Sequence, residues 1–230
     1  MSLTLFGHPL ASFCHKVLIA LYENQTPFTA ITVDLADPES RAPLLARWPV
    51  GKIPVLDDTA TGQTIAETSI IIEYLQNHYP GPVRLLPDDP DDRLQVRLWD
   101  RFFDLYVSQP MQKIVLDRLR PAGAADPHGV AEARAALELA YQMIEAQLRH
   151  RDWATGPEFS LADCAAAPAL FYASIVQPFG AGRPALSGYF ERLVARPSVA
   201  RTLAEARPFF PMFPYHAAIP SRFLGGAQPA

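Results

Sequence analysis

The chain has 230 residues, 49% of them hydrophobic, and a formal net charge of −4. That is enough apolar material for one large core or two small ones, and no apolar run approaches the ~20 residues of a membrane span, so no membrane partner is expected. The acidic balance excludes a general nucleic-acid binder, which needs clustered Lys and Arg to neutralise phosphates.

Two cysteines, Cys14 and Cys164, lie far apart. They make no disulfide framework and fit a reducing compartment. The first residues lack the charged and apolar regions of a secretion signal, so a cytoplasmic location is expected.

Leu3 to Phe6 reads as a short strand ended by Gly7-His8-Pro9. From Ser12 to Glu23 the pattern turns helical, with Val17, Leu18 and Leu21 on one face. Phe28 to Val33 reads as a second strand, and Pro38 to Trp48 as a short polar helix with Leu44 and Leu45 inward. Two β-branched runs, Ile53 to Leu56 and Gln63 to Ile65, flank a loop in which Gly62 can supply the positive φ of a hairpin. Glu67 and Thr68 then stand where a helix begins, with Ile71, Ile72 and Leu75 at helical spacing behind them. A helix start offers free N–H groups and a positive dipole end, which suit an anion. Residues 1–80 therefore read as one small α/β unit.

Pro80, Gly81, Pro82, Pro87 and Pro90 mark residues 81–92 as a linker. Every long segment beyond it is helical. Leu94, Leu98, Phe102 and Leu105 predict one inward stripe, and Leu137, Tyr141, Ile144 and Leu148 another. Arg97, Asp100, Arg101 and Asp104 alternate on the first of these helices, as a solvated charged face or as a dimer interface. Ser160-Leu161-Ala162-Asp163 is a capping-box variant before an alanine-rich helix in which Pro168 predicts a kink. Residues 93–207 read as an all-helical domain. Residues 208–230 form a Pro/Phe-rich tail expected to lie over the surface. The six histidines show no paired ligand spacing, so no metal is assigned.

Three motifs stand in a fixed order: Gly51-Lys52-Ile53-Pro54-Val55-Leu56; Glu67-Thr68 before Ile70-Ile71-Ile72-Glu73-Tyr74-Leu75; and Phe159-Ser160-Leu161-Ala162-Asp163. With them the chain resembles the cytosolic glutathione transferase superfamily over nearly its whole length, with a bacterial-type pattern. The resemblance implies an α/β thioredoxin-like N-terminal domain plus an all-α C-terminal helical domain, a homodimer, glutathione as co-substrate, and a role in detoxification of small hydrophobic electrophiles.

It also implies roles for particular residues. Pro54 would be cis, leaving the Ile53 backbone free for the cysteinyl backbone of glutathione. An ordinary edge-strand proline is the alternative. Glu67 would accept from the γ-glutamyl ammonium, and Thr68 would donate to the neighbouring carboxylate. A plain N-cap pair is the alternative. Lys52, and more weakly Arg41, would meet the glycyl carboxylate.

The family's Leu-Ser-Pro-x-Cys/Ser-x-Lys-Val pattern reads here as Leu10-Ala11-Ser12-Phe13-Cys14-His15-Lys16-Val17, with Ala11 in the usual donor position. Ser12 is then the candidate activator of the glutathione thiol, or else the helix N-cap. Cys14, in the first helical turn, is either a thiol-disulfide nucleophile or a small buried hydrophobe. Phe102, Tyr106, Met111 and Phe210 are the candidates for a second-substrate pocket. Beside conjugation, two alternatives follow: a glutathione-dependent thiol-disulfide reductase using Cys14, and a non-enzymatic binding module on the same fold.

Overall fold

The computed structural model describes residues 2–225. Its first unit runs β1 (Leu3–Gly7), α1 (Ser12–Glu23), β2 (Thr29–Thr32), α2 (Pro38–Arg47), β3 (Val55–Asp58), β4 (Gln63–Ala66) and α3 (Thr68–His78). The strands form one sheet in the order β2-β1-β3-β4. β1 pairs parallel to β2, with Leu5 opposite Ala30, and antiparallel to β3, with Leu5 opposite Leu56. β3 and β4 close an antiparallel hairpin, with Leu56 opposite Ile65. Gly62 turns it with φ 69°, a conformation that costs glycine little. This is the expected thioredoxin-like unit.

An all-α unit follows: α4 (Pro90–Phe102), a π-helical turn (Phe103–Ser108), α5 (Gln109–Asp117), α6 (Pro127–Leu148), α7 (Leu161–Val176), α8 (Pro184–Ala195) and α9 (Pro197–Ala206). α7 is buried along its whole length except Ser174, and it packs on α1 and α4. Its alanines let those helices approach closely, so the two units share one continuous apolar core. α7 runs through Pro168 without a break. Its start is pinned by Asp163. One carboxylate oxygen accepts from Ser160 N and Oγ at 2.8 and 2.9 Å, the other from Ala154 N at 2.9 Å and the Tyr189 hydroxyl at 2.5 Å. No helix among the described residues is long and apolar enough to cross a membrane.

Three expectations are corrected. The buried residues of α4 are Val96, Trp99, Asp100 and Phe102, continued by Phe103; of the expected stripe Phe102 is buried and Leu105 half-buried, while Leu94 and Leu98 are exposed. Apolar residues thus occupy two faces of the first turns of this helix, and there spacing alone selects the wrong one. Asp100 and Asp104 do not belong to a solvated face either: both are buried against Lys16, whereas Arg97 pairs outward with Glu73 at 2.8 Å. Finally, the tail does not simply lie over the surface. Short 3₁₀ turns at Arg207–Met212, His216–Ala218 and Ser221–Phe223 tuck Phe210, Phe213 and Ile219 into the core. Residues 226–230 of that tail lie outside the described residues.

Candidate functional site

The Ile53–Pro54 peptide bond is cis. β3 begins only at Val55, so the N–H and C=O of Ile53 lie outside the ladder and have no strand partner. Eleven positions after Val55 comes the last residue of β4, Ala66, directly opposite it. The chain must then turn at once into α3.

It does so at Glu67, which holds φ 67° and ψ 120° without being glycine. Such a conformation costs on the order of 1–3 kcal/mol and persists where the surroundings fix it. The exposed Glu67 side chain makes no cap on α3, leaving the first N–H groups of the helix open beside the buried Thr68. Lys52, Ile53, Pro54, Glu67 and Thr68 converge on one cleft of about 170 Å³. Its far wall comes from the helical unit: Arg101, Asp104, Leu105, Gln109 and Gln112.

Arg41 does not reach this cleft. It lies behind Gly51, with one guanidinium nitrogen 3.8 Å from where a Cβ on that glycine would sit, and its Nε is buried without a partner.

A second cleft of about 590 Å³ adjoins the first, and Phe13, Lys52, Ile53 and Gln112 belong to both. Its lining is mainly apolar: Leu10, Leu35, Met111, Val115, Leu116, Leu119, Met212, Phe213 and Pro214, with Tyr172 and Ser12. Of the four residues expected there, Met111 is present and three are not. Phe102 is buried against Trp99, ring centroids 4.7 Å apart, and Phe210 is 1% exposed and stacked on Phe171. Tyr106 is exposed but outside both clefts. For Tyr106 the cause is the π-helical turn. Pro110 has no N–H to give the carbonyl four residues back, the helix widens through Phe103–Ser108, and a face extrapolated at 3.6 residues per turn slips round. Pro110 was the sequence signal for this. Phe13, Gln112 and Tyr172 carried none.

Ser12 is the first residue of α1, and Ala11 is the N-cap, with no side-chain oxygen to offer. Ser12 is 8% exposed, lines the second cleft, and its hydroxyl has no partner among the described residues. The loop before it is held rigidly. Tyr172 donates its hydroxyl to Leu10 O at 2.7 Å, and His15 Nε2 reaches Pro9 O at 2.5 Å. Burial pushes the His15 imidazole down to about 4, so the ring is neutral near pH 7 and donates that bond.

Cys14 is corrected as a disulfide-exchange nucleophile. It is 1% exposed, faces neither cleft, and accepts from His8 N at 3.5 Å. Burial pushes its thiol up to about 12, and exchange needs an accessible thiolate. The other reading of Cys14, a small buried hydrophobe, describes its surroundings. Among the described residues no group of three His, Cys, Asp or Glu side chains is placed to hold a metal ion.

Comparison with known proteins adds the family. The family model described as "Glutathione S-transferase, N-terminal domain" matches residues 5–83, and "Glutathione S-transferase, C-terminal domain" matches residues 107–197. The chain is similar to glutathione S-transferase GstB of Escherichia coli K12, 27% identical over 87% of this chain and 97% of that one. It is also similar to FtsZ-localized protein A of Caulobacter vibrioides, 31% identical over 89% of this chain and 92% of the relative. Among solved structures, a glutathione S-transferase from Methylobacillus flagellatus with GSH bound superposes with a TM-score of 0.79 at 27% identity. That match covers 87% of this chain and 98% of the other. With family models matching both halves of the chain and a relative 31% identical over 89% of it, the chain belongs to the glutathione transferase superfamily.

Proposed function

We propose that the protein is a glutathione transferase that conjugates the glutathione thiolate to a small hydrophobic electrophile. The observation that carries this is the joining of two unlike clefts at Lys52 and Ile53: a small polar one with an open helix start, and a large apolar one. Ile53 pairs with the cysteinyl backbone, Glu67 accepts from the γ-glutamyl ammonium, and Thr68 with the open N–H groups of α3 takes the adjoining carboxylate. Lys52 meets the glycyl carboxylate, and Arg41 adds positive charge from behind Gly51.

These contacts direct the thiol toward Ser12. A free thiol titrates near ~8.5, and a two-unit drop needs roughly 2.7 kcal/mol of preferential thiolate stabilisation. The Ser12 hydroxyl, the open N–H groups at the start of α1 and the dipole of that helix supply it. The thiol proton leaves to solvent. The sulfur then forms its bond to the electrophilic carbon held between Met111, Val115, Leu119 and Phe213. Exposed Ile70 on α3 and Leu94 and Leu98 on α4 support association of two copies of the chain as a homodimer. A reducing cytoplasm, rich in glutathione, is the compartment this activity suits, and detoxification of electrophiles is the role it suits.

A second reading, a non-enzymatic binding module, is favoured by one specific feature: Ala11 where the family carries its hydroxyl donor. The relative named FtsZ-localized protein A supports the same reading. Calorimetric titration with glutathione near neutral pH, followed by conjugation assays with aryl halides and enals, separates the two. Saturable binding and turnover are expected. No binding at millimolar glutathione would refute the transferase reading in favour of the module.

A further inference from the structure

Lys16 lies one helical turn after Ser12 on α1 and is 1% exposed, which a lysine tolerates only when its charge is fully engaged. Its ammonium sits 2.8 Å from Asp104 Oδ2 and 2.5 Å from Asp100 Oδ1, the latter an ion pair without hydrogen-bond alignment. It also donates to Ser69 Oγ at 3.1 Å, and Ser69 in turn donates to Asp100 Oδ2 at 2.6 Å. Four side chains from four elements thus form one closed cluster: Lys16 from α1, Ser69 from α3, Asp100 from α4 and Asp104 from the π-helical turn.

The position of Ser69 gives this cluster its consequence. It follows Thr68 directly and so lies in the first turn of α3, at the polar cleft. Among the described residues no other side chain caps that turn, since Glu67 makes no cap hydrogen bond. Two carboxylates against one ammonium, with Arg101 3.8 Å from Asp104 at the edge, make the lysine the hub on which the other three depend. A buried pair that loses one partner leaves an uncompensated charge, so the geometry is stiff as well as specific.

We infer that Lys16 is a positioning residue for the γ-glutamyl half of the site: through Ser69 it fixes the first turn of α3, and through Asp100 and Asp104 it references that turn to the helical unit. The inference rests on the transferase reading, since it presumes that glutathione lies across Glu67 and Thr68. It does not touch the thiol, and it predicts discrimination between two ligands that differ only at the γ-glutamyl group.

The test compares S-hexylglutathione with S-hexyl-cysteinylglycine, which lacks that group, by calorimetry on the full chain. The hexyl tail occupies the apolar cleft and brings both ligands into a measurable range. Lys16→Met is expected to raise Kd for the glutathione derivative by roughly tenfold, about the worth of one hydrogen bond to a charged group, relative to the dipeptide derivative. Lys16→Arg is expected to recover most of that ratio, because a cation is restored. Ser69→Ala keeps both ion pairs and removes only the link to α3, so it should shift the ratio in the same direction by less, even if Lys16→Met fails to fold. Equal weakening of both ligands, or no weakening of either, overturns the positioning role while leaving the transferase reading intact. A wild type that binds neither ligand overturns both.

Discussion

The two clefts meet at Lys52 and Ile53 but are assembled by opposite means. In the polar cleft one wall comes from residues 52–68, one hairpin and the helix start after it. The apolar cleft draws on six separate segments: Leu10–Phe13, Leu35, Gly51–Ile53, residues of Met111–Leu119, Tyr172 and Met212–Pro214. A site built from local backbone is fixed by the turn that makes it. One built from several packed segments depends on every helix crossing beneath it, so it can change its lining without disturbing the first.

The largest expected effect breaks the comparison, because the α1 start serves both clefts. His15 is buried neutral with its imidazole down at about 4, against an ordinary value near 6.5. The unfolded chain therefore takes up a proton before the folded one does. Stability is full above about pH 6.5 and falls as pH drops toward 4, by about 3 kcal/mol from this residue. Thermal melts of the wild type against His15→Gln, which can still donate to Pro9 O, should diverge over that window, the wild type losing more. Parallel pH profiles would remove His15 from the account.

Next in size, Glu67→Ala sharpens the contrast. Glutathione affinity should fall by about 1.5–3 kcal/mol, the range for a hydrogen bond to a charged group, while the KM for the electrophile stays put. An unchanged glutathione Kd by calorimetry would show that the ammonium lies elsewhere. The reverse experiment is Leu119→Asn at the exposed rim of the apolar cleft. It should raise the electrophile KM by about 1–2 kcal/mol in a steady-state assay and leave glutathione binding unaffected. Coupled changes would mean that the clefts are not separable.

The same contrast explains what could be read from the chain alone. The hairpin at Gly62, the Glu67–Thr68 helix start and the Asp163 cap depend on residues within a few positions of one another, and each was legible; the cis Ile53–Pro54 bond was legible only through the family resemblance. The apolar cleft was not. Phe102 and Phe210 have the right chemistry and the wrong place: Phe102 closes α4 against Trp99, and the 3₁₀ turns of the tail bring Phe213 rather than Phe210 to the cleft. Lys16 is the sharpest case. No residue near it in sequence pairs with it, and only the folded chain brings Asp100 and Asp104 to it.

Tyr172 joins the two halves of this contrast with the smallest expected effect. It rises from the C-terminal part of α7, lines the apolar cleft, and donates its hydroxyl to Leu10 O at 2.7 Å, two residues before Ser12. Burial pushes its phenol well above the ordinary tyrosine range, so it stays a donor at every pH the fold survives. Tyr172→Phe keeps the ring in the core and removes one hydrogen bond, which should cost about 1 kcal/mol in a denaturant melt. The sharper readout is kinetic. With Leu10 O released, the loop that carries Ser12 loosens, so kcat should fall by a few-fold while the glutathione Kd, which the proposed site sets at Ile53, Glu67 and Thr68, does not move. A Kd that rises in step with the fall in kcat would mean that the polar cleft also leans on α7, and the division between a locally built cleft and an assembled one would fail at the residue where they meet.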